Sequence, residues 1–125
     1  MPFALWSILI AAVLPLIWAG VAKAGAPYDN SRPREVLARA SGHRQRANWA
    51  QQNAWEAFSP YAAAVIVAFV MKVPVARLDL LAGLFLLARV GHGLCYLRNL
   101  PTARSLCWLC GFACVVALFV LAARG

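Results

Sequence analysis

Residues 3–22, FALWSILIAAVLPLIWAGVA, contain no charged side chain at any of twenty consecutive positions. A helix of about 20 apolar residues is long enough to cross the hydrocarbon core of a bilayer. Three further apolar stretches of similar length follow, at residues 49–71, 80–97 and 105–123. The sequence therefore predicts an all-α integral membrane protein whose single domain, residues 1–125, is a bundle of four transmembrane helices.

The composition agrees with this interpretation and excludes a soluble domain. Of 125 residues, 63% are hydrophobic and only 13% are charged, whereas soluble domains are about 25% charged. The mean hydropathy is +0.70. A chain this apolar requires lipid as its main solvent, so we expect membrane lipid to be its principal partner.

The basic residues are grouped between the apolar stretches. The net charge is +8, with 12 Lys and Arg against 4 Asp and Glu. Nucleic-acid binding is one explanation, but loops rich in Lys and Arg also mark the cytoplasmic side of membrane proteins. Eight of the 12 basic residues lie in residues 23–46 and 98–104. We therefore favour the topological explanation, with the first and third loops cytoplasmic, both termini non-cytoplasmic and no nucleic-acid partner.

Tryptophan side chains are expected at the two membrane interfaces, where an amphipathic ring is favoured. Trp6 is near one predicted face of the bilayer. The other four tryptophans are near the predicted cytoplasmic face: Trp18, Trp49, Trp55 and Trp108.

The long connection between the first two spans contains signals for a helix. Asn30 and Ser31 are cap-type residues, Pro33 suits a first helical turn, and Glu35 suits the positive end of the helix dipole. The sequence predicts a cytoplasmic helical extension over residues 33–48 that continues into the second span, with Gly42 as its weakest point.

Polar side chains form stripes on two of the predicted spans. On the second helix, Arg46 and Asn53 share a face with Glu56 at its edge; Arg39 and His43 belong to the same stripe. On the third helix, Arg89, His92 and Tyr96 are spaced i, i+3, i+7. Ionisable groups at membrane depth are costly and are retained where they pair or act. These stripes predict a polar pocket between the spans, near the cytoplasmic side.

Three short motifs resemble those of one membrane family. The stretch from Asn53 through Glu56 to Pro60 resembles the Asn-x-x-Glu-x-x-x-Pro signature of the MAPEG family, the membrane-associated proteins in eicosanoid and glutathione metabolism. Arg89, His92 and Tyr96 are similar to its third-helix signature, and Arg104-Ser105 to the pair that opens its fourth helix. The resemblance extends over nearly the whole chain and is closest to small members of bacterial type.

This resemblance implies a homotrimer in the bacterial inner membrane that binds glutathione at subunit interfaces. Its implied activity is that of a transferase or peroxidase acting on a lipophilic small molecule. The implied glutathione contacts are Arg46, Asn53, Glu56, Arg89, Tyr96 and Ser105, and Arg104 is the implied catalytic residue beside the thiol. Arg forks match the carboxylates of glutathione, and a cation beside a thiol lowers its pKa.

Two departures from the family pattern leave other functions open. Trp49 stands where the eicosanoid enzymes have an arginine, although Arg46 lies one turn earlier, and the segment from Tyr96 to Arg104 is slightly short. The chain could instead be a non-catalytic trimer or an accessory subunit of a larger membrane complex. Similarly, Glu56 and Arg89 could form a structural ion pair rather than a ligand site, because breaking such a buried pair is strongly destabilising.

The histidines and cysteines of the chain do not predict a metal site. His92 is expected to be a hydrogen-bonded core residue and His43 a surface residue; a haem site has no further support. Four cysteines lie on the last two spans: Cys95, Cys107, Cys110 and Cys114. Their spacing could suit a metal or redox site, but small buried cysteines in an apolar helix usually contribute packing, which is the interpretation favoured here.

Overall fold

A computed structural model describes all residues, 1–125, as helices and short connections. The helices are α1 (Phe3–Lys23), α2 (Pro33–Ala38), α3 (Gly42–Val70), α4 (Val75–Leu97) and α5 (Pro101–Arg124). All except α2 are long and apolar enough to cross a membrane. The predicted all-α chain with four membrane-spanning helices is therefore confirmed, although α3, α4 and α5 each begin several residues before the predicted spans.

The four long helices pack as a bundle around small side chains. α1 packs chiefly on α3, and α4 on α5. Buried alanines line the contacts and allow the helix backbones to approach closely; they include Ala4, Ala11, Ala64, Ala68 and Ala82. The large apolar side chains on the outside of the bundle, such as Leu87 and Val70, are exposed, which suits contact with lipid.

A polar and aromatic cluster closes the end of the bundle near the N-terminus. Tyr61 is fully buried and stacks on Phe85 with a centroid distance of 3.7 Å. Its hydroxyl forms a hydrogen bond with Ser7. Asp79 accepts a hydrogen bond of 2.8 Å from the backbone N–H of Ala4. This contact satisfies one of the unpaired donors in the first turn of α1.

The predicted continuous helix over residues 33–48 is wrong. α2 ends at Ala38, and α3 begins at Gly42, which has a φ of +62°. Glycine adopts a positive φ without the steric strain that other residues incur. The helix is therefore interrupted next to Gly42, the residue predicted to be its weakest point. Leu37 then packs with Ala22 and Ala47, which holds α2 against the ends of α1 and α3.

The cap of α2 also differs from the prediction. Pro33 opens the helix as expected, but Arg32 is the N-cap residue and no side chain caps it. Ser31 instead donates hydrogen bonds from its hydroxyl and backbone N–H to Asp29. These bonds lower the pKa of the exposed Asp29 carboxyl, the hydroxyl contributing most.

One predicted interface tryptophan lies in the core. The Trp18 ring packs directly over Gly93 of α4, where any larger residue would overlap it. Trp18 is therefore buried, and its predicted interfacial role is wrong. The tryptophans that remain exposed, as interfacial residues would be, are Trp6, Trp49, Trp55 and Trp108.

Candidate functional site

The polar residues singled out from the sequence lie at one end of the bundle. The first half of α3, the end of α4 and the start of α5 meet there because α4 runs antiparallel to α3 and α5. The end of α1, with Lys23, lies at the same end. The two most basic connecting segments, residues 23–46 and 98–104, flank this region, so its electrostatic character is positive.

Arg89 is the most deeply buried charge in this region. It is only 4% exposed, and its Nη2 donates a 2.7 Å hydrogen bond to Oδ1 of Asn53. The predicted ion pair between Arg89 and Glu56 is not formed: the single ion pair of the chain joins Arg32 and Glu35 on the surface. Glu56 is exposed and forms no ion pair, so the amide of Asn53 takes the place expected for a carboxylate.

Tyr96 connects the polar ends of α4 and α5. The guanidinium of Arg104 lies over its ring at 4.5 Å from the centroid. His92 meets the same ring edge-on at 5.3 Å, and Trp49 lies 6.4 Å from it. A cation held on an aromatic face has fewer accessible positions than a free arginine, so Tyr96 restricts where Arg104 can act.

A polar cavity of about 200 Å³ lies between these side chains. It is lined by Asn53, His92, Tyr96, Arg104, Ser105 and Trp108. Four predicted site residues therefore share one cavity: Asn53, Tyr96, Arg104 and Ser105. We refer to it as the polar cavity.

His92 lies in the wall of the polar cavity. The sequence predicted that this residue would be a core residue hydrogen-bonded within the protein. It is 3% exposed, and its Nδ1 has no hydrogen-bond partner within the protein. A buried polar atom without a partner is costly, so Nδ1 of His92 retains an unused capacity for a hydrogen bond. Its position between Arg89 and Tyr96 on one polar stripe of the predicted third span was the sequence signal for a place in the pocket wall.

A second cavity, of about 210 Å³, adjoins the first and is amphipathic. Asn53, Glu56 and Arg89 form its polar end. Most of the remaining wall is apolar and includes Phe85, Trp108, Phe112 and Val115. Asn53 and Trp108 belong to both cavities, so a polar and an apolar compartment meet at these two side chains. We refer to this one as the amphipathic cavity.

Arg46 lies outside both cavities. Its Nε and Nη2 donate to the backbone carbonyl of Leu97, at 3.3 and 3.2 Å. The last carbonyls of a helix have no helical partner and carry partial negative charge, so Arg46 stabilises the end of α4. It also lines a small cavity of about 40 Å³ with Cys95, Tyr96 and Arg104.

Comparison with protein families decides the assignment. The family model described as the MAPEG family matches residues 3–124. The chain belongs to the MAPEG family. The resemblance inferred from the three motifs is thus confirmed over nearly the full length. Searches of curated proteins and of solved structures gave no match.

Membership in the MAPEG family agrees with the architecture and with the position of the motifs. The three motifs lie on α3, α4 and α5, and residues from each line the cavities at the polar end of the bundle. A further cleft of this MAPEG protein, about 670 Å³, lies between α1, α2 and α3. Its polar lining comprises Lys23, Arg34, Gln45, Asn48, Gln51 and Gln52. No group of three or more potential metal ligands is found.

Proposed function

We propose that this MAPEG protein is a glutathione-dependent transferase or peroxidase acting on lipophilic electrophiles or lipid hydroperoxides. The observation that carries the proposal is the junction of the polar and amphipathic cavities at Asn53 and Trp108. A polar thiol and an apolar acceptor could meet there without either leaving its preferred environment. Binding two reactants side by side lowers the entropic part of the barrier.

The side chains of the polar cavity match the groups of glutathione. The tripeptide has two carboxylates, an ammonium group and a thiol, so it needs cations, an acceptor and neutral donors. Arg104 and the unpartnered His92 offer binding groups inside the cavity, and Ser105 adds a hydroxyl. Arg89 retains unused N–H groups after bonding Asn53, since a guanidinium has five donors. Exposed Glu56 is the only carboxylate lining either cavity and suits the ammonium group.

Arg104 is the residue we assign to the reacting sulfur. A cation beside a thiol favours the thiolate, which is the nucleophile in conjugation and in peroxide reduction. The Tyr96 ring holds the Arg104 guanidinium in place at 4.5 Å. A positioned charge stabilises a developing anion without reorganising during the reaction. Asn53 and Arg89, deeper in the bundle, would orient the tripeptide.

A homotrimer would complete the site. Each cavity beside Asn53 is about 200 Å³, below the roughly 300–1,000 Å³ typical of small-molecule sites. Gln52 and Glu56 are exposed on α3 and lie within the predicted span of residues 49–71, where contact with lipid would be unfavourable. Packing around α3 would cover them and bring the basic cleft of one subunit, with Lys23 and Arg34, towards a neighbour. Native mass spectrometry of the protein in detergent should give the mass of three chains.

We further propose that the polar end faces the cytoplasm of a bacterial cell, with the protein in the inner membrane. Six basic residues lie in residues 23–46 and two in 98–104, which the positive-inside rule assigns to the cytoplasmic face. Reporter fusions at Gly125 and within residues 33–44 should therefore lie on opposite sides of the membrane. If both report the same side, the proposed topology is wrong.

Glutathione binding can be tested by thermal unfolding of the protein in detergent. A ligand at about 100 times its Kd stabilises the native state by about 2.7 kcal/mol, so glutathione should raise the Tm. The shift should shrink in Arg89→Lys, which keeps the charge but loses the guanidinium fork. Arg124→Ala, at the opposite end of the bundle, is the matched control and should retain the full shift. No shift with the wild-type protein would remove glutathione from the proposal.

A non-catalytic binding protein is the second candidate, and Trp49 favours it. Trp49 is 43% exposed and lies beside Tyr96, where an arginine would add a second cation. Arg46 does not take that place, because it is bonded to the carbonyl of Leu97. Stabilisation by glutathione without any rate enhancement would support this candidate.

A further inference from the structure

Cys95 and Cys107 are neighbouring free thiols next to the polar cavity. Cys95 is near the end of α4 and Cys107 is in the second turn of α5, and neither is in a disulfide. α4 and α5 pack against each other, and the Cys107 thiol lies beside Gly91 of α4. The packing expected for all four cysteines holds for Cys114, which is buried, whereas Cys110 is exposed and the other two are half-buried.

Gly91 creates the space in which Cys107 lies. A β-carbon at position 91 would be only 3.1 Å from Sγ of Cys107. Cys95 is one helical turn beyond Gly91 and so lies on the same face of α4. The glycine lets α5 bring the Cys107 thiol close to α4, on the face that carries the second thiol.

Of the two thiols, Cys95 is the one that lines a cavity beside the polar cavity. It lines the 40 Å³ cavity together with Arg46, Tyr96 and Arg104. Tyr96 and Arg104 also line the polar cavity, so the two cavities share a wall. Negative charge that develops on a substrate oxygen beside Cys95 would lie near two guanidinium groups, and fixed cations stabilise such a charge.

From this arrangement we propose that Cys95 and Cys107 form a redox pair that reduces an organic hydroperoxide and closes to a reversible disulfide between α4 and α5. This proposal rests on the proposed function, from which it takes a lipid hydroperoxide as the oxidant and glutathione as the reductant. The pair would give the protein a peroxidase activity carried by its own thiols.

The reaction balances in three steps. The Cys95 sulfur attacks the terminal peroxide oxygen; the O–O bond breaks, an alcohol leaves with the proton, and Cys95 becomes a sulfenic acid. The Cys107 sulfur attacks that sulfenic sulfur, which forms the S–S bond and releases water. Two glutathione molecules then reduce the disulfide by thiol–disulfide exchange and leave as glutathione disulfide. The peroxide is reduced by two electrons and glutathione is oxidised by two.

A single-turnover experiment without glutathione tests the pair. The reduced protein in detergent is mixed with one equivalent of cumene hydroperoxide, and cumyl alcohol, free thiols and intact mass are measured. We expect one equivalent of alcohol per chain and the loss of two free thiols. The intact mass should decrease by two hydrogen atoms, and a proteolytic digest should contain a disulfide-linked pair of peptides with Cys95 and Cys107. Later addition of glutathione should restore both thiols.

Three single variants assign the roles. Cys95→Ser should abolish alcohol formation, whereas Cys107→Ser should still form alcohol and accumulate a sulfenic acid that dimedone traps. Cys110→Ser, which removes an exposed thiol from α5, is the matched control and should behave as wild type. Equal Tm values among the variants would show that the losses are chemical rather than structural.

Several results would overturn the redox pair. These are an unchanged wild-type mass, a disulfide through Cys110 between chains, or loss of the reaction in Cys110→Ser. Because the assay contains no glutathione, its outcome does not depend on glutathione binding. A protein that conjugates glutathione but forms no internal disulfide would retain the proposed function and lose only this inference.

Discussion

Replacing Arg104 by alanine is expected to slow glutathione conjugation roughly 10- to 150-fold, because a charge-assisted contact contributes about 1.5–3 kcal/mol. The loss should appear mainly in kcat. An interaction that favours the reactive anion lowers the barrier, whereas one made equally in the ground and transition states changes KM. Arg104 lies over the Tyr96 ring in the wall of the polar cavity, where we propose that the glutathione thiol binds.

Conjugation of a chromogenic electrophile by the purified protein measures this effect. Arg124→Ala is the matched control, since it removes an exposed arginine from the other end of the same helix. Tyr96→Leu should also lower kcat, by freeing the Arg104 guanidinium. Equal kcat values for wild type and Arg104→Ala would exclude this arginine from the chemical step.

The second large effect is expected from the Asn53–Arg89 hydrogen bond. Asn53→Leu removes the acceptor of a guanidinium that is 4% exposed. Hydrogen bonds to charged groups contribute about 1.5–3 kcal/mol, and a buried charge without a partner adds a desolvation cost. We expect the free energy of unfolding to fall by at least that amount. Arg89→Leu should also destabilise the protein, by leaving the Asn53 amide unpaired.

A double-mutant cycle isolates the interaction between the two residues. The double variant, Asn53→Leu with Arg89→Leu, should lose less stability than the sum of the single variants. Gln52→Leu is the matched control, because the neighbouring amide is exposed. Glu56→Gln should have a smaller effect than Asn53→Leu. Additive losses would show that Asn53 and Arg89 do not interact. A larger effect of Glu56→Gln than of Asn53→Leu would contradict the assignment of Asn53 as the partner of Arg89.

The pairing of Arg89 shows why sequence alone selected the region but not the partner. Asn53 and Glu56 lie on the same part of α3, and charge complementarity favours the carboxylate. Which of the two meets Arg89 depends on the rotation of α3 about its axis relative to α4. That rotation is set by the packing of buried small residues such as Ala50 and Ala54 against Trp18, which the periodicity of one helix does not reveal.

Trp18 and the cysteines show the same limit. A tryptophan near the end of an apolar span predicts an interfacial ring, but the space above Gly93 accepts Trp18 into the core. The spacing of Cys107, Cys110 and Cys114 places them on one stripe of α5, yet each has a different degree of exposure. Cys107 is half-buried at the α4 contact, Cys110 is exposed and Cys114 is buried, so similar spacing gave dissimilar environments.

The sequence by itself determined the four membrane-spanning helices, the family and the end of the bundle where the polar residues gather. Backbone N–H and C=O groups in lipid must be hydrogen-bonded within each segment, so long apolar stretches form helices. The family motifs are recognised from the order of their residues along the chain. Only the tertiary structure decided that α2 is separate from α3, that Arg89 bonds Asn53, and that His92 and the Cys95–Cys107 pair border the same region. These features depend on helix rotation and on which small residues allow close approach, and both are set by contacts between residues far apart in the chain.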